Sequence, residues 1–182
     1  MNDVKNTVKI CDANELKINL TLDESSQYNK EKNQIVINPF QCFIGTKYNQ
    51  NVAEFITAHE IGHHKFRKKH KQVGDRILYS HIGTSMLSIF LPMTLPANIA
   101  LQCAIVACTS TLLIYHKRKN ELECDSYAKK MVGSKGGIEF FKHGEMRDKK
   151  YWAKLSWYQK IRKYDYFHPP SADRIKNLCK EN

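Results

Sequence analysis

Forty consecutive residues, Ile77 to His116, contain no Asp, Glu, Lys or Arg, and the segments on either side are strongly basic. An uncharged run of this length has to be hidden from water, inside a protein core or inside a bilayer. Crossing a bilayer takes about 20 apolar residues per helix, and Pro92, Pro96 and Asn98 interrupt the run near its middle. The run therefore reads as two short spans joined by a tight turn around Leu91–Asn98. A buried helical hairpin of a soluble domain is the alternative, because Ser, Thr, Asn98 and Gln102 dilute the apolar character. The 182 residues suit one ordinary domain, and 42% hydrophobic content excludes a disordered basic tail. Residues 1–58 carry a net charge of −1, residues 59–76 carry +4 and residues 117–182 carry +8, which together make the total of +11. An excess confined to the two flanks of a neutral block points first to a membrane, and no nucleic acid is expected as a partner.

The rest of the chain reads as mixed α and β. Leu16, Ile18, Leu20 and Leu22 alternate with polar residues at the period of a strand. Gln34–Asn38 is a short β-branched run ended by Pro39, expected as a second strand at a sheet edge. Phe40–Gln50 reads as loop. A helix should then start with Asn51 as N-cap and Glu54 three residues on, and run to about Lys68 with a basic last turn. His64 and His70 sit in that turn and are expected in solvent. A helix over about Lys117–Val132 ends at Gly133. A basic, aromatic segment follows, helical in part around Tyr151–Tyr164, and a short helix closes the chain. The N-terminal segment has no apolar core of a signal peptide, and the six cysteines form no CxxC pair, so free thiols in a reducing compartment are expected. The Lys, Asn and Ile bias suggests an AT-rich, bacterial source.

The chemistry lies in His59-Glu60-Ile61-Gly62-His63. On a helix, the i, i+4 spacing puts both imidazoles on one face, able to bind one Zn²⁺. Glu60 projects beside that position, where a carboxylate can take a proton from an activated water. Gly62 weakens a helix, and close approach of another element would explain it. A catalytic zinc usually has three protein ligands, and Glu121 is the best candidate for the third. Glu121 and Asp125 share a helix face, so Asp125 can accept a hydrogen bond from a ligand histidine and orient its ring. The competing reading makes both of them surface acids among Lys117, Arg118, Lys119, Lys129 and Lys130.

HEIGH, NELECDSYA and HPPSADRI together resemble the M48 zinc metallopeptidases, the family of the HtpX and Ste24 membrane proteases, over residues 33–76 and 117–178. The resemblance implies an α+β, mainly helical fold with a gluzincin-type metallopeptidase core and a small sheet. It also implies zinc on His59, His63 and Glu121, Glu60 as catalytic base, and Asp125 behind the ligands. His168 would stabilise the oxyanion, and Arg174 would help anchor the closing helix. The chain departs from the family in its short length, in lacking further spans, and in carrying Cys124 where Ala is usual. FITAHEIGHH with a later ExxxD is also similar to the soluble ImmA/IrrE-type metallopeptidases, which imply neither the uncharged block nor HPPSADRI.

A metal shared by His59 and Glu121 puts residues 76 and 117 on the same side of any membrane, which allows two crossings or none. Basic residues at both ends of the block place that side in the cytoplasm. The expectation is a multi-pass cell-membrane protein with two spans. Residues 1–76 and 117–182 form a single catalytic domain, and 77–116 form an inserted transmembrane hairpin. Its activity is that of a zinc metalloendopeptidase acting on a protein or peptide substrate through a zinc-activated water, with one zinc ion and the lipid bilayer as partner. An extended substrate is expected to add to the Gln34–Asn38 edge. The alternatives are a soluble ImmA/IrrE-type metallopeptidase with a buried hairpin, or a non-catalytic zinc-containing binding protein.

Overall fold

A computed structural model describes residues 16–21, 26–163 and 166–180. Leu22, the last residue of the first expected strand, lies outside them. Three strands form one small sheet: β1 (Lys17–Leu20), β2 (Gln27–Asn29) and β3 (Gln34–Ile37), in the order β1-β3-β2. Strand β1 runs parallel to β3 with Ile18 opposite Ile35, and β2 runs antiparallel with Tyr28 opposite Ile35. The Gln34–Asn38 run is thus the centre of the sheet and not its edge. Ile35, Val36 and Ile37 are all buried, as a strand covered on both faces and paired on both sides requires. The element that takes the edge, β2, is a polar three-residue strand with no pattern to announce it. Its turn into β3 is built by Asn29, whose Oδ1 accepts from the backbone N–H groups of Glu31 and Lys32 at 3.1 Å each, and by Asn33 at a positive φ of 49°.

Phe40–Gln50 is also more ordered than a loop. A 3₁₀ turn, Pro39–Cys42, is capped by Asn38 and leads into a two-residue hairpin, β4 (Phe43–Ile44) and β5 (Lys47–Tyr48). Helix α1 follows (Gln50–Ile89). Its cap is Asn49, two residues before the expected Asn51: the Asn49 Oδ1 accepts from Val52 N–H at 3.2 Å. Its amide nitrogen donates to Glu139 at 2.7 Å, so a distant helix helps decide which asparagine caps. Nor does α1 stop near Lys68. No proline interrupts the chain before Pro92, and the glycines at 74 and 83 continue the helix, so nothing local ends it. His70 therefore faces the neighbouring helix with a buried side chain, and His64 Nδ1 lies 2.8 Å from the Tyr28 hydroxyl, so neither histidine is solvated as expected.

After a turn at 90–94 the chain returns along α1 as α2 (Leu95–Val132), ended by Gly133 at φ 86°. Helices α3 (Lys135–Trp152), α4 (Trp157–Lys163) and α5 (Ser171–Cys179) complete the fold. The core surrounds the first three turns of α1. On one side Val52, Ala53, Ile56 and Ile61 pack on Leu16, Tyr28, Ile35 and Ile37 of the sheet layer. On the other, Phe55 and Ala58 pack on Ala128, Phe141 and Leu178. Each fully buried Ile, Val or Phe among these stabilises by about 1.5–3 kcal/mol. Beyond this core the two long helices leave Leu87, Phe90 and Leu95 71–81% exposed, and no residue in the apolar window of α2 is fully buried. Helix α2 is the one described helix long and apolar enough to cross a membrane. Polar groups hold the hairpin together: His81 Nδ1 lies 3.0 Å from Thr109 Oγ1, and the Gln102 amide donates to Ser88 Oγ and, at 3.2 Å, to the Ser85 carbonyl.

The first turn of α3 lies hard against α1. A Cβ on Gly136 would collide with the Asn51 carbonyl, and one on Gly137 would come within 2.5 Å of the Phe55 ring. Gly136→Ala and Gly137→Ala are each expected to cost about 1–3 kcal/mol through overpacking. Gly144→Ala, in the same helix with open space around it, should be stabilising by up to about 1 kcal/mol. Thermal unfolding of the three variants followed by circular dichroism checks the order.

Candidate metal centre

The two histidines of HEIGH point inward from α1 one turn apart, with their Nε2 atoms 3.1 Å from each other. Glu121 comes from α2 and closes the triangle: Oε2 is 3.4 Å from His59 Nε2 and Oε1 is 3.3 Å from His63 Nε2. Donor atoms about 2.0–2.1 Å from a tetrahedral zinc are about 3.3–3.4 Å from one another. These three side chains therefore fit a single small cation in both spacing and chemistry. Glu60 also offers a carboxylate oxygen within 4.8 Å of the two imidazoles. Glu121 is the better third donor, because its two oxygens reach both Nε2 atoms while Glu60 is engaged by the Tyr28 backbone N–H.

Behind the triangle lies a buried ion pair. Asp125, fully buried one turn after Glu121, sits with Oδ1 2.9 Å from His59 Nδ1. Arg174 of α5 donates to both its oxygens, Nη2 to Oδ1 at 2.6 Å and Nε to Oδ2 at 2.7 Å, with its guanidinium 4.2 Å above the Phe141 ring. A bidentate clamp of this kind supplies the hydrogen bonds that a buried carboxylate needs. The Asp125–Nδ1 bond turns the His59 Nε2 toward Glu121 and His63. His168 precedes α5 at the rim, its side chain 54% exposed and its Nε2 3.8 Å from Glu121 Oε2.

The protonation pattern follows from these contacts. Burial alone would lower the His59 pKa, but hydrogen bonds with Asp125 and Glu121 outweigh it and raise the value to about 9. Burial works against ionised Glu121 too, and its bonds to His59 and His63 overcome this and hold it well below the usual carboxylate range. Asp125 is likewise held low, against burial, by Arg174 and then His59. Glu60 moves the other way: burial raises its pKa. Near neutral pH the His59 ring thus carries a proton opposite ionised Glu121, the charge whose place a bound cation would take, and beside them lies one carboxyl with unusual affinity for a proton.

All six residues singled out in the sequence, His59, Glu60, His63, Glu121, Asp125 and His168, come together, as does Arg174. Two participants carried no signal of their own. Tyr28 touches Glu60 through its backbone and His64 through its side chain, from a strand with no alternating pattern. The Cys124 sulfur lies 3.4 Å from His63 Nδ1. Gly62 did carry a signal, and its reason is now visible: a Cβ there would lie 3.1 Å from the Cys124 Cα, so α2 crosses α1 at this glycine.

The model of peptidase family M48 matches residues 29–182, from β2 through the hairpin to the last residue. The chain belongs to peptidase family M48. No curated protein and no solved structure matches it. M48 members are metallopeptidases that generally use zinc, and the donor set of His59, His63 and Glu121 is of the kind zinc takes. In this M48 chain the Asp125–Arg174 pair also ties α5 to α2, beside Asn177, whose amide donates to the Leu122 carbonyl and to Ser126 Oγ. Arg174→Leu leaves a buried carboxylate without its counter-ion and is expected to destabilise by about 3–5 kcal/mol. Arg174→Lys, which cannot form the bidentate pair, should recover only part of that. Urea unfolding of the two variants measures both losses.

Proposed function

We propose that this M48 chain is a membrane-attached zinc metalloendopeptidase of the HtpX/Ste24 type with a gluzincin-like core, in which His59, His63 and Glu121 hold one zinc ion. The observation that carries the reading is the triangle of Nε2 and carboxylate atoms 3.1–3.4 Å apart, contributed by two helices. Bound there, zinc supplies Lewis acidity, making a water nucleophilic near neutral pH and polarising a peptide carbonyl. The rest is the work of this chain's own side chains. Glu60, its proton affinity raised by burial and its carboxylate held by the Tyr28 N–H, takes a proton from the attacking water and returns it to the leaving amine. Asp125 and Arg174 fix the His59 ring. His168, exposed at the rim beside Glu121, donates to the oxygen on which negative charge develops. A peptide substrate is best served by β2, the edge strand next to Glu60, since β3 is paired on both sides.

The same reading assigns residues 1–76 and 117–182 to one catalytic domain and 77–116 to a transmembrane hairpin. Within the hairpin Leu95 to His116 of α2 is roughly 33 Å long at 1.5 Å per residue, enough to cross the hydrocarbon layer, and α1 reaches roughly 30 Å only by drawing on His70 to Arg76 of the basic flank. Helix α1 enters with Lys71, Asp75 and Arg76 in its first turns, and the two long basic side chains can extend to the headgroups. Both ends of the hairpin return to one metal site, so the crossings number two, and the basic flanks put the site on the cytoplasmic side of the cell membrane.

Two experiments test this. Glu60→Gln should retain zinc while cleavage of a protein substrate falls by about 10²–10⁴-fold, and Glu121→Ala should lose the zinc; full activity in Glu60→Gln would refute the mechanism. Separately, alkaline carbonate should leave the chain in the membrane pellet and detergent should release it. Recovery in the carbonate-soluble fraction would refute the hairpin.

A further inference from the structure

The two histidines of the site are supported unequally. The Nδ1 of His59 faces Asp125, which Arg174 clamps. The Nδ1 of His63 faces the Cys124 thiol, whose sulfur lies 3.4 Å from it and 3.6 Å from Asn120 Oδ1. Proton accounting assigns every role in this chain of contacts. An imidazole that presents the Nε2 lone pair to a cation carries its hydrogen on Nδ1, so His63 donates and Sγ accepts. The sulfur keeps its own hydrogen, because the Asn120 Oδ1 3.6 Å away offers it an acceptor. That hydrogen goes to the Asn120 carbonyl oxygen, which can only accept. Three groups and two hydrogens are thereby matched, with the sulfur on the Nδ1 side of the ring, away from the Nε2 that meets Glu121.

The backbone is arranged around this contact. A Cβ at position 62 would sit 3.3 Å from the Cys124 sulfur and 3.1 Å from its Cα. The glycine next to His63 is thus what lets the thiol reach that ring. Cys124 is fully buried and lies one turn after Asn120 and three residues after Glu121 on α2, so the helix that supplies the third donor also supplies the group that orients the second.

We propose that Cys124 is a positioning residue for His63, fixing its tautomer and ring plane, so that the metal affinity of this chain depends on a thiol that is not itself a ligand. The inference rests on the zinc reading above. A hydrogen-bond partner of a ligand histidine typically accounts for about 10–100-fold in metal affinity. Alanine at 124 removes both the acceptor for Nδ1–H and the donor to Asn120. Serine keeps both functions on a slightly shorter arm.

The experiment uses full-length wild type, Cys124→Ala and Cys124→Ser, purified in detergent, stripped of metal and titrated with zinc against a competing chelator. Thermal unfolding of the metal-free forms serves as the control for folding. The expected result is a loss of about 10–100-fold in zinc affinity for Cys124→Ala, with Cys124→Ser much closer to wild type and both metal-free forms melting near it. Unchanged affinity in Cys124→Ala overturns the proposal, and so does equal weakening in the alanine and serine variants, which would mark a packing role. If Cys124→Ala does not fold, the serine variant decides: near-wild-type affinity supports the proposal and a loss of about tenfold or more overturns it. Failure of the wild type itself to bind zinc would overturn the zinc reading, a different outcome from any change confined to the variants.

Discussion

Where α2 crosses α1, the missing side chain of Gly62 lets the helices close by the few tenths of an ångström that a Cβ would cost. At Gly62 the two helices approach so closely that a Cβ would press on the backbone of Cys124. That approach brings Glu121, one turn earlier on α2, between two imidazoles presented by α1. It buries Asp125 against His59 and leaves Arg174 as the side chain that neutralises it. None of these groups is stable there alone. An unpaired buried carboxylate or guanidinium costs several kcal/mol, so the ion pair, the histidines and the helix crossing stand or fall together.

The same two helices carry a second burden. For their first and last turns respectively they are the core of a small α+β fold, wrapped by the sheet on one side and by α3 and α5 on the other. Over their remaining length they touch mainly each other and leave large apolar side chains uncovered. Continuous helix joins the two regions without a linker, so a displacement of the hairpin relative to the core would be transmitted to the crossing that assembles the site. Side-chain amides, hydroxyls and one imidazole hold the hairpin's inner seam, the kind of contact that remains useful where apolar surface by itself gives helices no reason to associate.

What could be read from the sequence was mostly what is local. HEIGH defines its own geometry because i, i+4 on a helix is a property of the backbone, and Glu121 with Asp125 repeats the spacing. The hairpin could be read because forty residues without a charge have few places to go. Two of the errors fell where the deciding partner was remote. Gln34–Ile37 has a buried β-branched run, but central or edge position depends on whether Gln27-Tyr28-Asn29 pairs with it. Asn49 rather than Asn51 caps α1, held by Glu139, ninety residues away, and by its backbone N–H on the Cys42 carbonyl. The basic stretch after HEIGH looked like a helix end; lysines are good helix formers, and the chain simply continued.

By itself, then, the sequence determined the donor types, their helical spacing, the family to which they point and the neutrality of residues 77–116, since each of these is set by residue identity and by backbone periodicity. Only the tertiary structure decided which carboxylate meets the imidazoles, that Tyr28 N–H holds Glu60, and that the Cys124 thiol is turned toward His63. Those depend on the angle and distance at which two helices cross. That crossing is set by the packing of residues sixty and more positions apart, and no local pattern encodes it.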